Sequence, residues 1–386
     1  MEVQKTQSRL DSNRRKFLIG MAVAGVSVSA GLYGISIKQT PNYDHPAYSL
    51  WQGNKENLSD IDFLVLCGGV APSPHNTQPW KFEIEENTIH VFGDKDRSIG
   101  RGDSDYRQMH ISLGCAMYNM QLAAKNLGYK PVITYQTMGD FNLTGHVASI
   151  EIQPSNKISN DEVITSIFKR STNRGNYDLQ LPIPDKFLRD TKSEWSLVDV
   201  QLHKRETLPG LHIERSVRVG ARKWMLEEGK YSDSTKWWRY TRDELLAKGD
   251  GVSIHTSETP FFIKEGMEHF VDEEMWLGDF GKNGELSFVD GIAAATPMWG
   301  VIETKDDSLK SRLEAGMMLE KTYINAARSG IHLHPINYAI ENVASHDRLI
   351  NGLGMSNEKR VQMVFRVGKG VELERTVRKQ LSEIKV

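Results

Sequence analysis

The chain has 386 residues, with 48 Lys and Arg against 50 Asp and Glu and a formal net charge of -2. A chain of this length can form two domains, or one large pseudo-symmetric one, with a self-supporting core. The near-neutral balance excludes a global electrostatic field that would attract nucleic acid or an anionic surface, so we expect no nucleic acid partner.

The N-terminal segment is predicted to be a targeting signal. Arg14 and Arg15 precede a charge-free stretch at residues 17–37 that is rich in Gly, Ala, Ser and Val. Together with small residues at 28–30, this pattern resembles a twin-arginine export signal. The resemblance implies passage through the Tat translocon to the periplasm, or anchoring to the outer face of the inner membrane. An uncleaved anchor helix and a chance Arg pair before a core helix both stay open.

Residues 71–80, with the sequence APSPHNTQPW, predict a stiff polar loop. Prolines flank short polar side chains, so the segment is non-helical and rich in donors and acceptors. Trp80 then opens an alternation of apolar and charged residues, which predicts a strand buried on one face. From the residues alone, the loop either contacts a flat polar ring or is an ordinary Pro-rich turn before a β-hairpin, with the tip of the hairpin at residues 85–87 and residues 89–91 returning.

An internal repeat is predicted at an offset of 202 positions, which aligns Gly114 with Gly316 and Gly128 with Gly330 without a gap. Each copy has the pattern of a helix of about five turns that ends at a Gly. Gly114 and Gly316 lower helix propensity, so we expect each to lie where another backbone approaches closely. Unrelated core helices could share these positions by chance.

Strand-like runs flank both copies of the repeat, at residues 147–152, 197–202, 298–303 and 361–367. Both halves therefore mix helix with sheet, which predicts the α+β class. The polar stretch at residues 155–160 is a natural boundary. We accordingly divide the chain into a signal or anchor at residues 1–40, a first half at residues 41–159 and a second half at residues 160–386.

A basic motif with the sequence KRSTNRGNY follows this boundary at residues 169–177. The guanidinium groups of Arg170 and Arg174 flank the hydroxyls of Ser171 and Thr172. This combination suits a phosphate, because Arg binds phosphate oxygens bidentately and the hydroxyls add short neutral donors. The alternative is that the two arginines form the solvated i,i+4 face of a helix end.

The two motifs together resemble the nitroreductase family. Residues 71–80 resemble its flavin-contacting signature Pro-Ser-x-x-Asn-x-Gln-Pro-Trp, and residues 169–177 resemble its phosphate motif Arg-x-Ser/Thr-x-Arg/Lys-x-x-aromatic. Three further features resemble the twin-half Acg branch of this family. They are residues 90–94, the spacing Asp-x-x-x-Arg at Asp103 and Arg107, and Gly114. The resemblance covers roughly residues 55–370.

The resemblance implies a nitroreductase-like α+β fold, in which two fused halves form a pseudo-dimer of helices around mixed β-sheets. In ordinary family members one chain supplies the basic motif and the other supplies the Pro-Ser loop. Here the loop lies in the first half and the basic motif lies in the second. We therefore expect one composite FMN site per chain.

The resemblance assigns cofactor binding to Pro72, Ser73, Asn76, Gln78, Arg170, Ser171, Thr172, Arg174 and Arg366. Arg366 is included because family members carry a basic residue at the corresponding strand. Lys369 is a weaker candidate, since a terminal Lys is more often simply solvated. No side chain is predicted to be catalytic, because the hydride chemistry belongs to FMN. His75 occupies a variable position of the signature and is predicted to face solvent.

The implied activity is FMN-dependent transfer of a hydride from NAD(P)H, or from another donor, to a small organic acceptor. The rival is a flavin-binding protein that sequesters FMN and reduces little, because the fold does not assure reductase activity in the Acg branch. A lid over the flavin is expected within residues 220–290. Its aromatic groups at 237–240 and 259–262 could equally be packing.

No metal site is predicted. Cys67 and Cys115 lie in apolar surroundings, where a cysteine usually acts as a small buried hydrophobe, and a disulfide is not implied. His332 and His334 resemble a metal pair only by residue type, since no third ligand with suitable spacing accompanies them.

Overall fold

The computed structural model describes residues 42–156, 161–356 and 359–386. Its helices span Asp60–Gly69 (α1), Arg107–Leu127 (α2), Met138–Thr144 (α3), Asp161–Lys169 (α4), Asp185–Asp190 (α5), Leu208–Leu226 (α6), Lys230–Thr235 (α7), Arg242–Lys248 (α8), Phe261–Phe270 (α9), Glu273–Leu277 (α10), Asp279–Ala294 (α11), Leu309–Arg328 (α12), Val343–Leu353 (α13) and Leu381–Ile384 (α14). Its strands span Trp80–Glu85 (β1), Thr88–Gly93 (β2), Tyr129–Tyr135 (β3), His146–Pro154 (β4), Val198–Lys204 (β5), Met298–Thr304 (β6), His332–Pro335 (β7) and Arg360–Gly368 (β8).

The predicted export signal at residues 1–40 lies outside the described residues, as do residues 157–160 of the predicted boundary. Among the residues that are described, no helix has both the length and the hydropathy that crossing a bilayer requires.

Two four-stranded sheets have corresponding strand orders, β1-β2-β4-β3 and β5-β6-β8-β7. Their ladders are all antiparallel, so neither sheet mixes strand directions. In chain order, a long helix connects the second and third strands of each sheet: α2 connects β2 to β3, and α12 connects β6 to β7. The α+β class is confirmed, and so are the four strands that flank the repeat, which correspond to β4, β5, β6 and β8.

The strand predicted after the Pro-Ser loop is confirmed as β1, and it forms a hairpin with β2. Its register runs from Trp80 opposite Gly93 to Glu85 opposite Thr88. Burial alternates along β1 as the residue pattern predicts, since Trp80 and Phe82 face the core while the charged residues between and after them are exposed. The strand therefore anchors the end of the loop in the core.

The helices α2 and α12 cross at the two glycines of the repeat. A Cβ atom on Gly114 would lie 2.0 Å from the carbonyl oxygen of Leu313, and one on Gly316 would lie 2.0 Å from that of Ile111. The predicted close backbone approach is thus confirmed at both positions. The contacts are also reciprocal, because the offset of 202 positions maps Ile111 onto Leu313. Reciprocal contacts of this kind are what a two-fold axis produces.

The main hydrophobic core joins side chains of both sheets to α2 and α12. The C-terminal segment after β8 then returns to the first sheet, where the N–H of Val386 donates to the carbonyl of Phe82 at 2.9 Å. Trp51 Nε1 donates to the carbonyl of Thr376 in the same segment at 2.7 Å. Cys67 and Cys115 are both buried and free.

Candidate functional site

A cavity of about 520 Å³ receives side chains from both halves. The first half contributes residues 72–75 of the Pro-Ser loop and the beginning of α2. The second half contributes residues of the basic motif, α12 and the stretch at 334–341. Residues 224–289, which we call the cap, form most of the remaining wall. The volume lies within the range of small-molecule and cofactor sites.

The Pro-Ser loop reaches the cavity as a tightly coiled segment. The backbone φ angle is 48° at His75, 54° at Asn76 and 51° at Gln78. Left-handed conformations cost a residue other than Gly roughly 1–2 kcal/mol each. The hydrogen bond from the Gln78 N–H to Ser73 Oγ, at 2.9 Å, closes the coil. Four consecutive side chains thereby line the cavity: Pro72, Ser73, Pro74 and His75.

Asn76 and Gln78 do not line the cavity, and they connect the loop to two other segments. Asn76 Nδ2 donates to the carbonyls of Gly251 at 3.2 Å and Val377 at 3.0 Å. Gln78 Nε2 donates to the carbonyl of Gly249 at 2.8 Å, and Gln78 Oε1 accepts from a backbone N–H of the C-terminal segment at 2.9 Å. Both amides therefore fasten the Pro-Ser loop to the cap and to the C-terminal segment.

Thr172 and Arg174 bring the basic motif to the same cavity. Thr172 Oγ1 shares a hydrogen bond of 2.7 Å with the hydroxyl of Tyr323. Arg174 Nη1 is buried, and no described residue accepts a hydrogen bond from it. Burial lowers the pKa of Arg174 below its ordinary value. An unsatisfied buried donor costs roughly 1–3 kcal/mol, and more when it is charged, so this nitrogen indicates a ligand that accepts from it.

Arg170, the first arginine of the motif, points away from the cavity. Its side chain is 1% exposed, which makes the solvated-helix alternative wrong for this residue. Its Nε lies 3.2 Å from Glu320 Oε1, and its Nη2 donates to the carbonyl of Val70. The guanidinium group thus contacts protein groups instead of facing the cavity. Ser171 is half-buried and is likewise absent from the cavity wall.

Arg366 is fully buried behind the basic motif. Its Nε donates to His334 Nδ1 at 3.1 Å. Its two Nη groups donate to three backbone carbonyls, those of Ile292, Asn173 and Gly175. Two of these carbonyls flank Arg174, so Arg366 positions the motif and does not face the cavity. Lys369 is exposed at the surface.

Two histidines line the cavity, and both are neutral at neutral pH. Burial, assisted by the charge of Arg174, lowers the pKa of His75 to about 4. Burial also lowers the pKa of His334 well below its ordinary value. The prediction that His75 faces solvent is wrong, because the coil of the loop turns it inward. Within the described ranges no cluster of three or more His, Cys, Asp or Glu side chains is arranged to hold a metal ion.

The cap supplies an aromatic wall, in which six side chains line the cavity: Trp224, Tyr231, Trp238, Trp276, Phe280 and Phe288. Trp238 and Trp276 stack with ring centres 4.3 Å apart and planes inclined by 22°. From the two groups at residues 237–240 and 259–262 that the sequence singled out, Trp238 and Thr259 reach the cavity. Phe261 and Phe262 are exposed at the start of α9.

Two carboxyl groups complete the cavity. Tyr338 donates its hydroxyl to Glu285 at 2.8 Å, and Gln108 Nε2 donates to Glu341 at 2.8 Å. Burial raises the pKa of both carboxyls, to about 7 for Glu341. Among the described residues that line the cavity, Arg174 is the one Arg or Lys. The cavity therefore combines one fixed cation with two titratable acids.

A cluster of arginines beside the site was missed at the sequence level. The guanidinium carbons of Arg170, Arg375 and Arg378 lie 5.3, 4.9 and 4.5 Å from the centre of the Trp51 ring. Arg378 Nη1 donates to Asn76 Oδ1 at 2.6 Å, which ties this cluster to the Pro-Ser loop. The available signal was the Arg-x-x-Arg spacing after the last strand. It is weak, because arginines near a chain end are usually solvated.

No family model matches the chain. It is 24% identical over 337 residues to "Putative NAD(P)H nitroreductase acg" of Mycobacterium tuberculosis, which covers 84% of this chain and 94% of that protein.

Two solved structures are similar at low scores. A nitroreductase with bound FMN from Bacteroides fragilis has a TM-score of 0.33 and 14% identity, covering 56% of this chain and 95% of that one. The FMN-dependent nitroreductase NfnB from Mycobacterium smegmatis, in complex with NADPH, has a TM-score of 0.33 and 12% identity, covering 58% and 96%. Over most of its length, the chain is similar to a protein named as an NAD(P)H nitroreductase.

Proposed function

We propose that the protein is an FMN-dependent oxidoreductase of nitroreductase type, which transfers a hydride from NAD(P)H or another donor to a small organic acceptor. The observation that carries this proposal is the meeting of two distant motifs at one cavity. Ser73 and His75 come from the first half, and Thr172 and Arg174 come from the second. The name of the Mycobacterium tuberculosis relative supports the choice of donor.

The residues around the cavity fit FMN. Arg174 offers a buried Nη1 without an acceptor, which suits an anionic or carbonyl oxygen of the cofactor. The hydroxyls of Ser73 and Thr172 lie in the same wall, and the aromatic side chains of the cap suit a flat ring. The fit differs from the family pattern at Arg170 and Arg366, whose guanidiniums are held by protein groups. Arg174, Thr172, Ser73 and Pro72 are accordingly the residues that would hold FMN.

The chemistry divides between cofactor and protein. When bound, FMN would supply the hydride transfer between donor and acceptor. The protein's own residues bind, orient and exclude water. Because His75 beside Arg174 is neutral, the guanidinium is the fixed positive charge of the site. The stacked Trp238 and Trp276 line the cavity on the cap side, and a site from which water is excluded strengthens each polar contact inside it.

A second candidate function is a flavin-binding protein that reduces little. The buried ion pair that attaches the cap to the first half favours this second function. Asp250 of the cap forms ion pairs of 2.5 Å with Arg97 of the first half and with Arg239 of the cap itself. The carboxylate is 7% exposed, so these pairs are shielded from solvent. A cap that is held in place by these ion pairs would limit the exchange of nucleotide and acceptor between the cavity and solvent.

Rapid anaerobic mixing of the purified, flavin-loaded protein with NADH or NADPH separates the two candidates. We expect the flavin absorbance band to bleach within seconds with at least one nucleotide. A band that stays oxidised with both nucleotides, together with a dithionite-reduced protein that a nitroaromatic or quinone acceptor does not reoxidise, would support the flavin-binding function. A purified protein that neither carries nor binds FMN would remove both candidates.

We also propose export through the Tat translocon to the periplasm or to the outer face of the inner membrane. The proposal rests on Arg14, Arg15 and the charge-free stretch at residues 17–37, which lie outside the described residues. Free pyridine nucleotide is scarce in the periplasm, so an exported enzyme would use another electron donor. Reduction by a non-nucleotide donor therefore belongs in the same experiment.

A further inference from the structure

A second cavity, of about 270 Å³, adjoins the main one. It is lined by polar side chains, and three of its residues, Arg101, Ser104 and Asp105, are exposed. The cavity therefore reaches the protein surface. Its wall contains Gln108, Asn337 and Glu341, which also line the main cavity. These three residues lie between a solvent-connected polar space and an apolar, largely aromatic one.

Glu341 is the acidic group of that shared wall. Gln108 Nε2 donates to its Oε1 at 2.8 Å, and no other described residue donates a hydrogen bond to its carboxyl group. The charged groups that face it are Asp103 in the turn before α2, Arg107 at the start of α2 and Lys230 at the start of α7. Lys230 donates to the backbone carbonyl of Glu341 at 2.6 Å.

The balance of these groups keeps the carboxyl near its titration point. Burial is the largest influence and raises the pKa of Glu341, and the charge of Asp103 raises it further. Lys230, the hydrogen bond from Gln108 and the charge of Arg107 lower it, so that the pKa is about 7. A carboxyl with this pKa both gives and takes a proton at neutral pH, which is the condition for efficient general acid catalysis.

The two histidines and the other carboxyl group of the main cavity are less suited to donate a proton. His75 and His334 are neutral, and His334 Nδ1 accepts a hydrogen bond from Arg366. Glu285 is bound by the hydroxyl of Tyr338 and does not line the polar cavity. Among the carboxyl groups of the main cavity, Glu341 alone is also in contact with the solvent-connected space in the described part of the chain.

We propose that Glu341 is the proton donor for acceptor reduction and is reprotonated from solvent through the polar cavity. The proposal rests on the proposed function, in which reduced flavin is the hydride donor. Reduction of an acceptor by two electrons adds a hydride to one of its atoms and a proton to another. The acceptor takes the hydride and its electron pair from the reduced flavin, which is oxidised. Transfer of the proton to the acceptor leaves Glu341 as a carboxylate. Solvent in the polar cavity then returns a proton to this carboxylate.

The test compares Glu341→Gln with wild type in steady-state reduction of a nitroaromatic or quinone acceptor. The protonated acid is the active form, so the wild-type kcat should fall as pH rises through about 7. Glu341→Gln should lose kcat on the order of 100-fold, and this pH dependence should disappear. Glu341→Asp, which keeps an acid, should recover part of the rate and a pH midpoint.

Glu314→Gln is the matched control. Glu314 is also a buried carboxyl whose pKa is raised by burial, and it accepts a hydrogen bond from Tyr135 at 3.3 Å. It does not line either cavity. We expect this variant to keep the wild-type pH profile.

A second readout does not depend on turnover. Infrared difference spectra of the purified protein, wild type minus Glu341→Gln, should contain a protonated-carboxyl band that titrates with a midpoint near pH 7. A carboxyl that is ionised throughout the range from about pH 5 to about pH 9 would overturn the proposal. So would a Glu341→Gln enzyme with the wild-type rate and pH profile, although the proposed function would then stand. A wild-type protein that reduces no acceptor with any donor would refute the proposed function itself.

Discussion

Replacing Arg174 with Met should change FMN affinity and stability in opposite directions. Arg174 Nη1 is buried without an acceptor in the cavity wall, so the guanidinium carries a desolvation cost that only a ligand can offset. Met fills a similar volume without charge or polar donors. The flavin-free protein should therefore gain roughly 1–3 kcal/mol in the free energy of unfolding. The cofactor should lose a charge-assisted hydrogen bond worth about 2 kcal/mol.

These magnitudes are measurable by two separate assays. A loss of about 2 kcal/mol corresponds to a dissociation constant for FMN that is about 30-fold higher, which a titration of flavin fluorescence resolves. Urea unfolding of the flavin-free proteins should shift to a higher midpoint with an unchanged slope, since the surface exposed on unfolding is nearly the same.

Arg328→Met is the matched control for this prediction. Arg328 lies at the end of α12 and forms a surface ion pair of 3.2 Å with Glu162, whose side chain is 62% exposed. Surface pairs of this kind contribute about 0–1 kcal/mol, and Arg328 does not line the cavity. FMN affinity should therefore be unchanged. If Arg174→Met instead destabilised the protein and bound FMN as wild type does, Arg174 would have a purely structural role.

Three further predictions concern the fold, the stoichiometry and export. Gly114→Ala and Gly316→Ala should each destabilise the protein by about 3 kcal/mol or more, because the added Cβ would lie 2.0 Å from a backbone carbonyl oxygen. Gly291→Ala is the control, because a Cβ at this position would have no atom within 4 Å. It should raise the free energy of unfolding by roughly 0.5–1 kcal/mol in the same urea assay. Absorbance and protein assay should give one FMN per chain, and a ratio of two would contradict the composite site. Replacing Arg14 and Arg15 with Lys should retain the protein in the cytoplasm of the native host, as fractionation and mass spectrometry of its N-terminus would establish; unchanged export would contradict the Tat prediction.

The elements that could be predicted are those governed by local patterns. The alternation after Trp80 fixes one face of β1, and a tight turn then brings β2 back beside it. The offset between Gly114 and Gly316 identified two helices with a close backbone contact, because a helix tolerates a Gly in its interior when packing requires it. Each of these inferences needs only residues that are near in the chain, or a repeated spacing.

The directions of the site side chains could not be predicted in this way. Asn76 forms hydrogen bonds with Gly251 and Val377, which are 175 and 301 positions away in the chain. Arg170 is paired with Glu320, a buried acid inside α12 that is 150 positions away in the chain. A motif specifies the residue types and their spacing. Which side chain meets a ligand and which meets a distant protein group depends on the tertiary fold, and here Arg174 and Arg170 differ in that respect.

The position of the cap explains how a symmetric fold can carry an asymmetric site. Residues 86 and 87 join β1 to β2, whereas the corresponding strands β5 and β6 are joined by residues 205–297, which contain the cap. Both pairs keep a continuous antiparallel ladder, so the insertion leaves the second sheet intact. The cap then covers the cavity that the Pro-Ser loop of the first half and the basic motif of the second half line together. Because the first half has only a tight turn at the equivalent place, no cap of the same kind covers the symmetry-related position in the described part of the chain.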